Sequence, residues 1–338
     1  MIAINNSIQV TCQNLKAYSG PGPFFVGAGD ECINLLGCET RILPGRWHAV
    51  NRDGAIFANH RIGPWIENCV FEGLGDDGVN LHSSPIDIRE RFDERSFALA
   101  ARMSDDGTGP PIAAEPGDRL AILHSASGAL AAMPVLAETR LLPGALLATF
   151  AEPVAALGGN ASLDQYMAFN EDVSCPFFVI RGNTFRFVRR WGVVAMSRGG
   201  LIENNLFESI SASAIALQNI HDPGGFHSGP APRDISIRRN VFRDCVVQNV
   251  LGTPFETLNP SIIALSLLAE GGQPAQWRGI RGILIEENEF FDWRRAGAIS
   301  IRNAENVAVR RNRFAEDGEG RSDVEPVRIL DKSNVESD

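Results

Sequence analysis

Apolar and polar positions alternate along this chain with a period of two, in runs of four or five residues, and the longer periodicity of amphipathic helices is absent. One unit recurs: apolar–x–apolar, an Asn one or two residues on, a Phe, a turn, then a second short alternating run. It is read at WIENCVFEG (65–73), FVIRGNTFRF (178–187), GLIENNLFES (200–209), ISIRRNVFRD (235–244), ILIEENEFFD (283–292) and VAVRRNRFAE (307–316). The phenylalanines are Phe71, Phe185, Phe207, Phe242, Phe290 and Phe314; Phe185 to Phe207 is 22 residues and Phe290 to Phe314 is 24. The second strands include GVNLH (78–82), GVVAM (192–196), SAIAL (213–217) and GAISI (297–301).

A strand repeat of this length predicts a parallel β-solenoid with two or three strands per coil and coils stacked at roughly 4.8 Å. The Leu-x-x-Leu-x-Leu skeleton of leucine-rich repeats is missing, so the expected fold is all-β, a right-handed parallel β-helix. The Asn before each Phe predicts a ladder of stacked amides at a turn, where Asn also tolerates left-handed backbone.

The rhythm stops after residue 85. Residues 86–172 carry longer alternating runs (RSFALAARM, DRLAILHSAS, ALLATFAEP) divided by Pro/Gly turns such as DDGTGPP. They read as antiparallel hairpins forming a small inserted β-barrel or sandwich. The expected organisation is therefore coils over 1–85, an insert over 86–172, further coils over 173–317, and a frayed polar tail over 318–338. A Gly/Pro-rich loop at 221–234, with His221 and His227, is a candidate lid, and 252–280 is irregular. The chain opens in a strand without a capping helix. The expectation is that the helix continues beyond it, or that a partner or second copy covers that end.

Composition narrows the function. The net charge of −10 disfavours nucleic acid or an anionic membrane as partner. No apolar run is long enough to span a bilayer, and no signal peptide is read in MIAINNSIQV. Both a cytoplasmic location and secretion after removal of a leader fit. Lysine occurs only at Lys16 and Lys332, an imbalance that reads as genomic base composition. The six cysteines lack zinc spacing and are expected as buried free thiols, a Cys32–Cys38 bridge being the alternative.

The chemistry is concentrated in GLGDDGVNLHSS (73–84). NRDGAIFANH (51–60) lies 24 residues upstream of GDDGVNLHSS (75–84), which superposes Asp53-Gly54 on Asp77-Gly78. Equivalent positions of stacked coils are about 5 Å apart. Asp53 and Asp77 should therefore stack, with Asp76 beside them. Three carboxylates this close cannot all ionise freely. Glycoside hydrolysis needs such a set, a protonated acid for the leaving oxygen and an ionised carboxylate for water. Asp76 is then the general acid and Asp53/Asp77 the general base. An acid-to-base gap of about 6.5–9.5 Å would mean inversion. Asp-Asp-Gly is also an ordinary turn, and a carboxylate cluster can instead hold Ca²⁺ for lyase chemistry.

Asn80 and His82 share a face of the following strand and are candidate partners for sugar hydroxyls, a structural role for the histidine being the alternative. Arg190 takes the place of Asp76 one coil on, and Trp191 that of Asp77. Arg190, and Arg198 on the same rim, are candidate substrate-binding residues, against the plain reading of solvated arginines. Trp47 is a candidate stacking platform, whereas Trp65 falls in the repeating apolar pattern and is expected in the core.

NRDG…RIGPWIENCVFEGLGDDGVNLH, followed by the inserted β segment, resembles glycoside hydrolase family 110, as does NTFRFVRRWGVVAMSRGGLIENNLFE. The resemblance spans roughly 45–316 and is densest at 50–84. It implies a pectin-lyase-like β-helix that removes terminal α-1,3-linked galactose with inversion, without metal or other cofactor. Asp76 would be the acid and Asp53 and Asp77 the base pair. Two departures are Gly78 after the Asp pair and Ser83-Ser84 after His82. Family 28 polygalacturonases share an Asp…Asp-Asp layout, but their Gly-His-Gly turn and Arg-x-Lys motif are absent. A polygalacturonase-like or Ca²⁺-dependent enzyme, and a non-catalytic carbohydrate-binding β-helix, remain as alternatives. The expected partner in each case is a glycan.

Overall fold

The computed structural model of the chain describes residues 1–102, 112–221, 227–247, 261–293, 296–315, 325–331 and 333–337. Three parallel sheets run the length of a solenoid. A typical coil gives Ala55–Ala58 to the first sheet, Trp65–Glu67 to the second and Val70–Leu74 to the third. No α-helix occurs among the described residues. Val79 and Leu81 lie opposite Ala55 and Phe57 on one side and Val193 and Ala195 on the other. Alternate residues of each strand thus form continuous apolar columns inside the solenoid, which is its core.

Two of these columns account for the repeat. The recurrent phenylalanines stack face to face, Phe71 on Phe185, Phe207, Phe242, Phe290 and Phe314, with successive centroids 4.9–5.2 Å apart. Each pair adds about 0.5–1.5 kcal/mol beyond its buried area. Beside them runs the amide ladder. The Oδ1 of Asn205 accepts from the backbone N–H and Nδ2 of Asn183, and Asn240, Asn288 and Asn312 repeat the pattern coil by coil. Each Nδ2 also donates to a core carbonyl, such as Asn240 to Ile202. Cys69 continues the column, its N–H donating to Asn183 Oδ1, and Cys38 N–H donates in turn to Cys69 Sγ. All six cysteines are free thiols, and the Cys32–Cys38 bridge is not formed.

The ladder asparagines do not supply the left-handed turn. That conformation belongs to the preceding residue: Asn68, Gly182, Asn204, Arg239, Glu287 and Arg311 all have positive φ. The amide side chain satisfies its neighbours while the residue before it turns the chain. Trp65 also departs from expectation. Ile66 takes the core position, and Trp65 lies outward beneath Arg181, donating from Nε1 to Glu67.

Between the first-sheet strand Val79–His82 and the second-sheet strand Val179–Arg181, the chain leaves the solenoid. The described strands between Ile86 and Asn170 build one seven-stranded antiparallel sheet with its own core around Phe97, Ile122, Leu136 and Phe150. A bidentate pair from Arg61 to Asp118, at 2.8 and 2.9 Å, ties it to the coil corner. The segment leaves from the end of Val79–His82 that is remote from Asp76 and Asp77.

Part of the C-terminal stretch is ordered as a further coil, not a frayed tail. Val327–Ile329 pairs with Ile299–Ile301, and Val335–Ser337 pairs with Val307–Val309. These strands are three residues long in polar surroundings, so their alternation is hard to see; the open edge of the coil beneath supplies the pairing. Residues 222–226 of the expected lid, 252–260 of the irregular stretch and 318–324 of the tail lie outside the described residues.

Asn240→Ala removes the acceptor of two Asn205 donors and the donor to Ile202 in a fully buried site. The expected cost is about 3 kcal/mol, given about 1–3 kcal/mol per buried group left unpaired. Denaturant unfolding of the variant against the parent chain measures it.

Candidate active site

Asp53 and Asp77 each precede a glycine at the start of a first-sheet strand. Gly54 N–H donates to the Asp77 carbonyl at 2.8 Å and Ala55 N–H to the Gly78 carbonyl at 2.9 Å, which sets the two Asp-Gly pairs one above the other. The glycine is a steric requirement. A Cβ on Gly54 would lie 2.5 Å from the Gly78 oxygen, and one on Gly78 would lie 2.1 Å from the Gly192 oxygen. Tight stacking of the coils at this corner therefore selects the glycine of each pair, and the register sets Asp53 and Asp77 one above the other.

Their environment is unfavourable for charge. Asp53 is 5% exposed and Asp77 2%. Burial, and then the charge of Asp76, push Asp53 up to about 7. Burial and the nearby Asp53 carboxylate raise Asp77 well above the ordinary carboxylate range. Arg190 opposes both shifts from the next coil. Its guanidinium is 3.6 Å from Asp76 and lies over the Trp191 ring at 4.0 Å, which fixes its plane. Asp76 is the accessible member of the trio, lining a cavity of 690 Å³ with Trp47, His48, Arg52, Phe187 and Arg189.

Asn80 and His82 are buried and face the acid cluster in series, not open solvent. Asn80 Nδ2 donates to Asp77 Oδ2 at 3.2 Å, and His82 Nδ1 is 2.9 Å from Asn80 Oδ1. Because the amide nitrogen is committed to Asp77, its oxygen is the acceptor, so His82 carries its proton on Nδ1. Burial lowers His82 to about 4, keeping it neutral. The Trp191 backbone N–H adds a longer bond, 3.3 Å, to Asp77 Oδ1.

Arg198 does not share this rim. It pairs with Asp172, lies over Phe177 and begins the second-sheet strand Arg198–Glu203. The strand Val193–Ala195 and a coil corner separate it from Arg190. His221 and His227 form a short hairpin, with ring nitrogens 3.2 Å apart. That hairpin is bridged through Gly229 to Ser83, at the end of the strand opposite the acid cluster. Phe187, Arg52, His48 and Arg189 went unread in the sequence. Phe187 sits where strict alternation would place it in the core, so only a break in strand parity at that position could have flagged it.

The site can now be set beside known proteins. Its curated relatives are α-1,3-galactosidases. The chain is 28% identical over 277 residues to α-1,3-galactosidase B of Akkermansia muciniphila, covering 79% of this chain and 32% of that protein. It is 26% identical over 297 residues to α-1,3-galactosidase A of Bacteroides fragilis, covering 86% and 46%. With an α-1,3-galactosidase B of Phocaeicola vulgatus it shares 26% over 330 residues, covering 92% and 53%. The chain thus spans about half or less of the length of these galactosidases. No family model matches it. Among solved structures it is similar to the A-module of a mannuronan C-5 epimerase of Azotobacter vinelandii, with TM-score 0.48, 10% identity and coverage of 98% and 58%. It is also similar to the catalytic domain of a GH87 α-1,3-glucanase, with TM-score 0.38, 12% identity and coverage of 98% and 50%.

The raised Asp53 has a consequence for stability. Its folded value near 7 lies above an unfolded value of about 3.9, so the folded state binds the extra proton between about pH 4 and pH 7. Stability therefore falls as pH rises through that window. Asp53→Asn, which keeps the shape and removes the charge, is expected to stabilise the fold by about 2–4 kcal/mol near pH 8, the gain vanishing below about pH 4. Urea unfolding of both proteins at the two pH values checks the sign.

Proposed function

We propose that this chain carries the active site of an inverting, exo-acting glycoside hydrolase that removes terminal α-linked galactose, in the manner of an α-1,3-galactosidase. The observation that carries the reading is the register that brings Asp53, Asp76 and Asp77 onto one corner beside an open cavity. The α-1,3-galactosidase names of its relatives support terminal α-linked galactose as the substrate.

Asp76, the accessible carboxyl, protonates the glycosidic oxygen as the bond from the anomeric carbon breaks. Asp53 and Asp77 hold a water between them and take its proton as its oxygen bonds to that carbon from the opposite face. Arg190 holds Asp76 in place and meets sugar hydroxyls at the same point. Asn80 orients Asp77, with His82 behind it, and Trp47 offers a ring to the sugar face. Asp76→Asn is expected to lower kcat by at least about 10³-fold while leaving the thermal transition in place, within the range for loss of a general acid. NMR of the first-formed galactose anomer tests inversion: a β-anomer from an α-linked substrate supports it, and an α-anomer overturns it.

One observation favours exchanged roles. Burial pushes Asp53 up to about 7 and raises Asp77 well above the ordinary carboxylate range, which favours a proton on the pair in the free protein. The pH dependence of kcat/KM separates the two assignments. If the pair is the base, it must lose that proton, and kcat/KM rises as pH increases through about 7. A fall across the same range would make the pair the acid and Asp76 the base. Activity abolished by a chelator, with unsaturated products absorbing in the ultraviolet, would instead identify a Ca²⁺-dependent lyase.

A further inference from the structure

Beside Asp76, the third sheet contains a position that five successive coils bend in the same way. Extending the register of its strands aligns Gly73, Phe187, Ser209, Asp244 and Asp292. All five have positive φ. These five coils share left-handed backbone at this point, and four of them adopt it with Gly, Ser or Asp. The fifth uses phenylalanine, a bulky residue for which this conformation is a genuine outlier. The bend also turns the ring out of the apolar column: Phe185 and Val188 are buried on either side, while Phe187 is 54% exposed. Neither backbone preference nor core packing accounts for phenylalanine here.

Its surroundings do. Phe187 lines the 690 Å³ cavity that Asp76 also lines, and so does Trp47, whose side chain is 95% exposed. The polar lining includes Arg52, Ser209 and Ser211. An exposed apolar ring lining a polar cleft suits a pyranose, whose C–H face packs on an aromatic surface while its hydroxyls reach side chains around it.

We propose that this cavity is the leaving-group subsite, and that Phe187 is a substrate-binding residue stacking on the sugar to which the terminal galactose is attached. The inference rests on the reading of Asp76 as the acid. That carboxyl must lie where the terminal sugar and its neighbour meet, so the space continuing past it belongs to the neighbour. The left-handed backbone of the strand at Phe187 then points the side chain outward before substrate arrives, a direction a flexible loop would have to order at each binding event.

Phe187→Asn tests the proposal, because Asn accepts the left-handed backbone better than Phe and the fold should lose nothing. Hydrolysis of an α-galactosyl disaccharide is compared with that of α-galactosyl fluoride, which carries no sugar in the leaving-group position. In Phe187→Asn, kcat/KM for the disaccharide is expected to drop about tenfold more than for the fluoride, mainly through KM, and Phe187→Trp to recover most of the loss. An equal drop on both substrates, or none on either, would overturn it. Calorimetric titration of the disaccharide into Asp76→Asn, with and without Phe187→Asn, reads the subsite without turnover. About tenfold weaker binding in the double variant supports the platform, and unchanged binding overturns it. A parent chain that hydrolyses neither substrate sinks the hydrolase reading by itself, while the titration still decides the role of Phe187.

Discussion

Each coil of this solenoid is fixed over the next by backbone hydrogen bonds between parallel strands, and everything else in the molecule inherits that register. The bonds hold equivalent residues at the inter-strand spacing of about 4.8 Å. Any residue type that gains from having its own kind at that distance is therefore amplified along the axis. Phenylalanine gains by stacking, which gives the run from Phe71 to Phe314. Asparagine gains because one amide can donate and accept along a column, which gives the ladder from Asn183 to Asn312. A buried amide with a partner above and below leaves no group unsatisfied, so the polar column is tolerated inside an apolar core.

The same spacing is costly for like charges, and the first-sheet corner at Asp53 and Asp77 shows it. Register brings the two carboxylates together, burial withholds solvent from both, and compensating charge comes from Arg52 beside Asp53 and from Arg190 on the neighbouring coil. Where the Phe and Asn columns repeat a favourable contact, this corner repeats an unfavourable one over two coils and then stops, with Trp191 in the third position. Destabilisation confined to one point in an otherwise self-consistent fold is what supports the proposal that this corner is a catalytic site. Burial deep in the stack and the nearness of like charge both raise these carboxyls above the ordinary carboxylate range.

Geometry outside the core follows from where the repeat yields. The antiparallel sheet of residues 86–170 departs from the end of Val79–His82 away from the acids, and the His221–His227 hairpin bridges to that same end. The acid end of the strand is left to the bend that turns Phe187 outward, and with it the cavity that Asp76 lines. Strand polarity thus separates two faces: one carries the insertion, the other the carboxylates.

The repeat is legible in the order of residue types alone, and through the repeat the fold. Aligning two segments 24 residues apart was enough to pair Asp53 with Asp77, because a parallel register converts sequence offset directly into proximity. It also marked Arg190 as the residue over Asp76. Three things were decided only by tertiary structure, each for a physical reason. Asn80 and His82 turned from the solvent into a chain behind Asp77, because neighbouring coils and packed segments bury that outer sheet face. Arg198 went to Asp172, because a coil corner lies between it and Arg190 and local spacing does not say where a corner falls. Phe187 left the core, because a left-handed residue shifts strand parity by one, and alternation of residue types carries no record of φ.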